Sequence, residues 1–258
     1  YSALAHFFPA VCETSFSVVG GSENSGILTD PPKGSLRFRL HNSRGEYVPG
    51  KVIIIGLDPT KTPCFRGADP LETGKDWERR KNSVFPGPEG MEVRLPAGTY
   101  SFFASRGPEY SLDRKTIEIL AGEIVEGDFT IDPIVPSGGL ISVDPHTHTI
   151  ITDGRIGLEE RIRSIAAEGL DAAAATDHNI IIDYRAGLKK LGLEKFLTVF
   201  SGTEVSMPDM IHFNSYPLLP QPGKERGGCI LPEADTVKPL FEASRRAAPD
   251  SLIPVSYT

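Results

Sequence analysis

Cysteine is scarce in this chain: three residues among 258, Cys12, Cys64 and Cys229, far apart and odd in number. That excludes a disulfide framework and a Cys-x-x-Cys metal pair, and leaves at most one bridge, with Cys12–Cys64 the candidate pair. No apolar run approaches the ~20 residues that span a bilayer, so no membrane span is expected. No long basic run is present, and the net charge is −7; both argue against a nucleic-acid partner. Internal repeats and low-complexity tracts are absent. What remains is ordinary for a globular chain, 39% hydrophobic and 24% charged, enough for one large domain or two small ones. The chain begins at Tyr1 rather than Met, which reads as a processed protein or a fragment. A removed signal peptide would place it outside the cytoplasm, secreted or periplasmic.

Residues 1–33 read as a leader packed on the next domain, or as an arm that adds a strand to a neighbour. Ser15 to Val19 is the candidate edge strand, and Gly20-Gly21 and Pro31-Pro32 are breakers. Residues 34–132 read as all-β. Leu36-Arg37-Phe38-Arg39-Leu40 alternates apolar and charged, and Lys51–Gly56, Met91–Leu95, Thr99–Ser105, Thr116–Leu120 and Ile124–Ile131 follow as strands. A long insertion rich in proline, glycine and charge, with Trp77, occupies 57–90. Short strands spaced by turns predict a β-sandwich. The turn at Arg106 to Tyr110 is either an ordinary polar turn or a lining of the next domain. Residues 133–139, with two prolines and two glycines, form a linker.

Residues 140–258 read as α/β and carry four of the six histidines. Leu140–Val143 is a predicted strand ending at Asp144. His146 and His148 follow, two apart, so along an extended chain both imidazoles point the same way. Asp153 lies on the next loop. Leu158, Ile162, Ile165 and Ala166 form one helical stripe, with Glu159 and Glu160 in the first turn, where the helix dipole favours acid. Leu170–Ala175 is a continuous apolar run, as in a strand covered on both faces, and ends in Thr176-Asp177-His178-Asn179. The run Phe196–Phe200 is a third strand, followed by Glu204 and then His212. Helices are expected over 183–191 and 236–247, and a last strand over 251–257. Single histidines are ordinary polar residues. His-x-His, Asp, Asp-His, Glu and His, each at or after a strand end, make a metal-type constellation.

The segments Asp144-x-His146-x-His148, Thr152-Asp153-Gly154, Thr176-Asp177-His178-Asn179 and Gly202-x-Glu204 resemble the first motifs of the polymerase-and-histidinol-phosphatase (PHP) superfamily. More narrowly, the chain resembles the CehA/McbA-type metallohydrolases, which carry a small β domain ahead of the PHP domain. Pro-Ala-Gly-Thr-Tyr at 96–100 resembles carboxypeptidase-regulatory or transthyretin-like domains. The resemblance covers residues 34–258, and its motifs are specific over 140–216. It implies a multidomain β plus α/β chain: a β-sandwich, then a partial PHP-type (β/α)7 barrel with two or three divalent ions, Zn, Mn or Fe. By position His146 and His148 match ligands of one ion, and Asp153 and His178 those of another. Glu204 matches the bridging carboxylate and His212 a further ligand. Asp144 or Asp177 is expected to orient a ligand imidazole from behind.

The family also carries a histidine on about its fourth strand and an Asp-x-His further on, whereas Leu252–Thr258 holds no histidine. A half-barrel leaves strand edges and apolar faces that need covering, so a homo-oligomer or a partner chain is expected. Two functions follow. One is a metal-dependent hydrolase of a small-molecule phosphoester, ester, amide or carbamate. The other is a structural or assembly (fibre-type) subunit carrying an inactive PHP-like domain.

Overall fold

A computed structural model describes residues 2–7, 10–15, 30–63, 65, 82–207, 212–229, 237–250, 252–253 and 255–256. The chain divides into two compact units, Tyr1–Ile134 and Val135–Thr258. The fold is β-rich, with three α-helices among the described residues, all in the second unit. None of them is long and apolar enough to cross a membrane.

The first unit begins with an antiparallel hairpin of β1 (Ser2–Phe7) and β2 (Ala10–Ser15). The predicted strand Ser15–Val19 therefore meets β2 only at Ser15, and its remainder lies outside the described residues. So do Trp77 and Cys64, and with Cys64 the candidate Cys12–Cys64 bridge. Two sheets follow. In one, β3 (Lys33–Phe38) pairs with β7 (Met91–Pro96) and β10 (Ile124–Glu126), and β4 (Leu40–His41) pairs with β11 (Phe129–Thr130) beyond it. In the other, β5 (Lys51–Gly56) and β8 (Gly98–Ser105) are central, with β6 (Ser83–Val84) and β9 (Asp113–Ile119) outside them.

The alternation at 36–40 does what period two requires: Leu36, Phe38 and Leu40 are buried while Arg37 and Arg39 face solvent. Their side chains share one core with Ile54, Phe102 and Phe129 from the other elements. Tyr100 is buried there too, its hydroxyl donating to Pro96 O at 2.9 Å; burial pushes that phenol up to about 12. The single strand expected over Ile124–Ile131 is two pieces. The break at Gly127-Asp128 lets Asp128 Oδ1 accept the Arg39 N–H. Arg106 is 4% exposed and donates to Pro49 O at 2.7 Å, with its guanidinium over the Tyr110 ring.

The second unit opens with a parallel sheet in the order β12 (Val143–Thr147), β13 (Ala172–Ala175), β14 (Thr198–Ser201). Helices α1 (Leu158–Ala167) and α2 (Tyr184–Lys190) connect the strands. The four alanines of β13 are all buried, as a central strand requires. Ile162 and Ala166 of α1 and Leu188 of α2 share a cluster with Ala173, Ala175 and Val199, which places both helices on one face of the sheet. Asp183 caps α2 by accepting the Arg185 N–H, and Gly192 at φ +64° ends it.

Three strand expectations are corrected. The first strand starts at Val143, not Leu140: Leu140 and Ile141 are 79% and 71% exposed, and the strand carries Asp144 and His146 within it. The third is an edge strand over Thr198–Ser201 that exposes Phe200 and buries Val199. The last, expected over 251–257, is a short antiparallel strand: β17 (Val255–Ser256) pairs with β16 (His212–Ser215), which pairs with β15 (Thr203–Ser206). The switch to this second sheet occurs at Gly202. A Cβ there would meet Ser215 O at 2.5 Å and Tyr216 Cβ at 2.7 Å, so only glycine fits where the chain crosses. Helix α3 (Val237–Ala247) packs Leu240 and Phe241 against Val205 and Phe213 of this sheet. No closed barrel is present among the described residues.

Candidate metal centre

The C-terminal ends of the three parallel strands and one face of the antiparallel sheet bring the ligand-type residues together. On β12, Pro145 lacks an N–H and the register to β13 shifts between Asp144 and Thr147. Beyond the shift, alternation sends Thr147 inward, where its hydroxyl donates to Ala174 O at 2.7 Å. His146 and His148, on either side, project the opposite way. Their Nε2 atoms lie 2.7 Å apart. On the antiparallel sheet Glu204 stands opposite Asn214, and Ser206 opposite His212. Period two puts these four on one face.

Glu204 is the hub, 1% exposed. Its Oε2 lies 2.9 Å from His146 Nε2, 3.1 Å from His148 Nε2 and 3.4 Å from His178 Nδ1, and its Oε1 lies 3.2 Å from His212 Nδ1. Burial alone would raise this carboxyl. Hydrogen bonds from His148 and His146 and the surrounding imidazoles outweigh burial and hold it at about 2. Asp153, at the exposed rim, lies 3.2 Å from both His148 Nδ1 and His178 Nε2. Burial opposes its charge, but the two imidazoles lower it overall. His148 is pulled down by burial and up, by more, by Glu204 and Asp153, so its pKa is raised.

All six residues expected as metal ligands, His146, His148, Asp153, His178, Glu204 and His212, therefore meet in one place. They form three overlapping groups: His146–His148–Glu204, His148–Asp153–His178 and His178–Glu204–His212. Imidazole and carboxylate donors suit Zn, Mn or Fe. An ion with bonds of ~2.0–2.1 Å sets tetrahedral donor spacings of roughly 3.3 Å, close to the 2.7–3.4 Å found here. His148 Nδ1 is buried and sits 3.2 Å from Asp153 Oδ1, yet makes no hydrogen bond. The donor set thus fits a divalent ion.

Asp144 and Asp177 behave differently from the expectation that they orient imidazoles. Asp144 Oδ1 accepts the His146 backbone N–H at 3.1 Å and so shapes the strand. Asp177, 1% exposed, accepts from Thr149 N and Oγ1, Thr152 Oγ1 and the Tyr184 hydroxyl. It fixes the loop that leads to Asp153. Other contributors were given no role from the sequence, although Asn179 closes the motif at 176–179. Arg161 of α1 donates to His148 O at 2.8 Å. Ser206 Oγ lies 2.5 Å from His178 Nδ1. Asn179 adopts φ +52° and bonds Ser206 in both directions, and Asn214 keeps Oδ1 buried without a partner. The one local signal among these is Asn179, since asparagine tolerates the left-handed region.

No protein-family profile matches the chain, and no curated protein matches it. Among solved structures it is similar over 40% of its length to the Bacillus anthracis TIE protein, at 22% identity, TM-score 0.25, covering 17% of that chain. It is also similar over 40% to a DUF3823 family protein from Parabacteroides merdae, at 14% identity, TM-score 0.25, covering 48% of that chain. At that TM-score neither likeness bears on what the centre does.

Proposed function

We propose that the second unit is a metal-dependent hydrolase centre of the PHP type, acting on a phosphoester, ester, amide or carbamate bond of a small molecule. The observation that carries this reading is the convergence of four imidazoles and the Asp153 carboxylate, from separate elements, with the buried carboxylate of Glu204. The order β12–α1–β13–α2–β14, with the centre at the strand C-termini, supports the opening of a PHP-type barrel. Divalent ions there, Zn, Mn or Fe, would supply Lewis acidity and a bound water with its pKa lowered toward ~7.

The chain's own residues do the rest. Glu204, ionised and out of solvent, supplies fixed negative charge between the histidines. His146, His148, His178 and His212 keep 19–28% of their side chains exposed, so water and a substrate reach them from one side. Asp153 offers its carboxylate at the exposed rim. Asp177 and its hydroxyl donors hold the 149–153 loop in place.

A second reading, an assembly subunit with an inactive centre, is favoured by one observation. The parallel sheet has three described strands and gives way to an antiparallel one. Elemental analysis of the purified chain, with hydrolysis of bis(4-nitrophenyl) phosphate and a 4-nitrophenyl carbamate in Zn, Mn or Fe, separates the two. The hydrolase reading expects bound ions and turnover lost to EDTA. A chain that takes up no ion overturns it.

A further inference from the structure

Six donors in three overlapping groups leave a question the ligand set does not answer: His178 belongs to two groups and has one lone pair to give when neutral. Its two nitrogens see different neighbours. Nε2 faces Asp153 Oδ2 at 3.2 Å. Nδ1 faces Ser206 Oγ at 2.5 Å, with Glu204 Oε2 at 3.4 Å behind it.

We propose that Ser206, locked in place by the side chain of Asn179, is a positioning residue that holds His178 with its proton on Nδ1. Nε2 is then the ligating nitrogen, directed to the ion shared with Asp153 and His148. The inference rests on the metal-centre reading above and assigns within it which nitrogen binds and what fixes it.

The argument is one of donors and acceptors. A carboxylate accepts only, and a serine hydroxyl does either. A proton on Nδ1 is satisfied by Ser206 Oγ and lies beside the negative Glu204. Nε2 then points a lone pair at Asp153, another acceptor, and a cation between them resolves the conflict. The Ser206 end does not drift, because Ser206 N donates to Asn179 Oδ1 at 3.0 Å and Asn179 Nδ2 donates to Ser206 O at 3.3 Å. Asn179 directly follows His178 and reaches back across the strand from a left-handed backbone. The neighbour of the ligand thus clamps the residue that orients the ligand. Groups behind a metal-bound imidazole typically matter by ~10–100-fold in metal affinity.

The test is zinc titration of the full chain by calorimetry for wild type, Ser206→Ala, Ser206→Thr, His178→Ala and the Ser206→Ala/His178→Ala double variant. Nitrogen NMR of the zinc-loaded wild type reads the tautomer of His178. The expected results are an Nδ1-protonated His178 and a ~10–100-fold weaker ion in Ser206→Ala, restored by Ser206→Thr. In the His178→Ala background, Ser206→Ala should have no added effect. An Nε2-protonated His178 in the loaded protein, or Ser206→Ala binding zinc as tightly as wild type, overturns the inference and leaves the metal centre standing. Failure of the wild type to bind zinc at all overturns both.

Discussion

Replacing Glu204 by Gln keeps the size of the side chain and removes its charge, so it isolates the electrostatics of the hub. The carboxyl is held at about 2, against an ordinary 4.5. At ~1.4 kcal/mol per unit this sets an upper bound of about 3 kcal/mol of stability in the metal-free protein. The sign follows from the two sets of partners. A depressed carboxyl contributes stability above its unfolded pKa of 4.5 and loses it as pH falls toward 2. His148, raised above 6.5, contributes below its unfolded pKa and loses it as pH rises through the folded one. Both describe one interaction and are not summed. It is strongest between 4.5 and 6.5 and fades on either side.

Glu204→Gln is therefore expected to cost the EDTA-stripped protein up to about 3 kcal/mol at pH 5.5 and clearly less at pH 8. Denaturant titration followed by circular dichroism at 222 nm reads this, because the described helices all lie in the second unit. Zinc at 100-fold above its Kd should add about 2.7 kcal/mol to wild type and much less to the variant, which lacks a ligand of two of the three groups. Equal losses at both pH values, or equal protection by zinc, would refute the reasoning.

Three further outcomes are expected. Zinc affinity should weaken as pH falls, starting above 6.5, because the raised His148 must lose its proton to bind; a flat titration between pH 5.5 and 8 would remove His148 from the ligands. Asp177→Ala should destabilise the chain by about 2–4 kcal/mol by stranding the Thr149 and Thr152 donors. It should weaken zinc at the Asp153 group more than at the His146 group, and equal weakening at both would count against a loop-fixing role. Leu140, Ile141, Ile150, Ile151 and Leu219 are each more than half exposed, so the chain is expected to associate with itself or a partner. Light scattering that finds a stable 28.0 kDa monomer would refute association with itself.

The sequence alone determined the parts that depend on neighbours along the chain. Alternation at Leu36, Phe38 and Leu40 marked a half-buried strand, and the spacing of Leu158, Ile162 and Ile165 marked α1. The six ligand-type residues could be picked out because each follows a predicted strand, five of them within short motifs. What tertiary structure decided is where those strands go. Leu140 and Ile141 are apolar enough for a strand yet lie exposed, because pairing with Ala172 begins only at Val143. The turn at Gly202 sends Glu204 into an antiparallel sheet, and cross-strand register then sets His212 and Ser206 beside it. Arg161 on His148, Ser206 on His178 and Asp177 on its threonines join residues 13 to 28 positions apart. Periodicity records which side of an element is buried; it carries no record of which distant donor meets which acceptor, and that choice is made only when the elements pack.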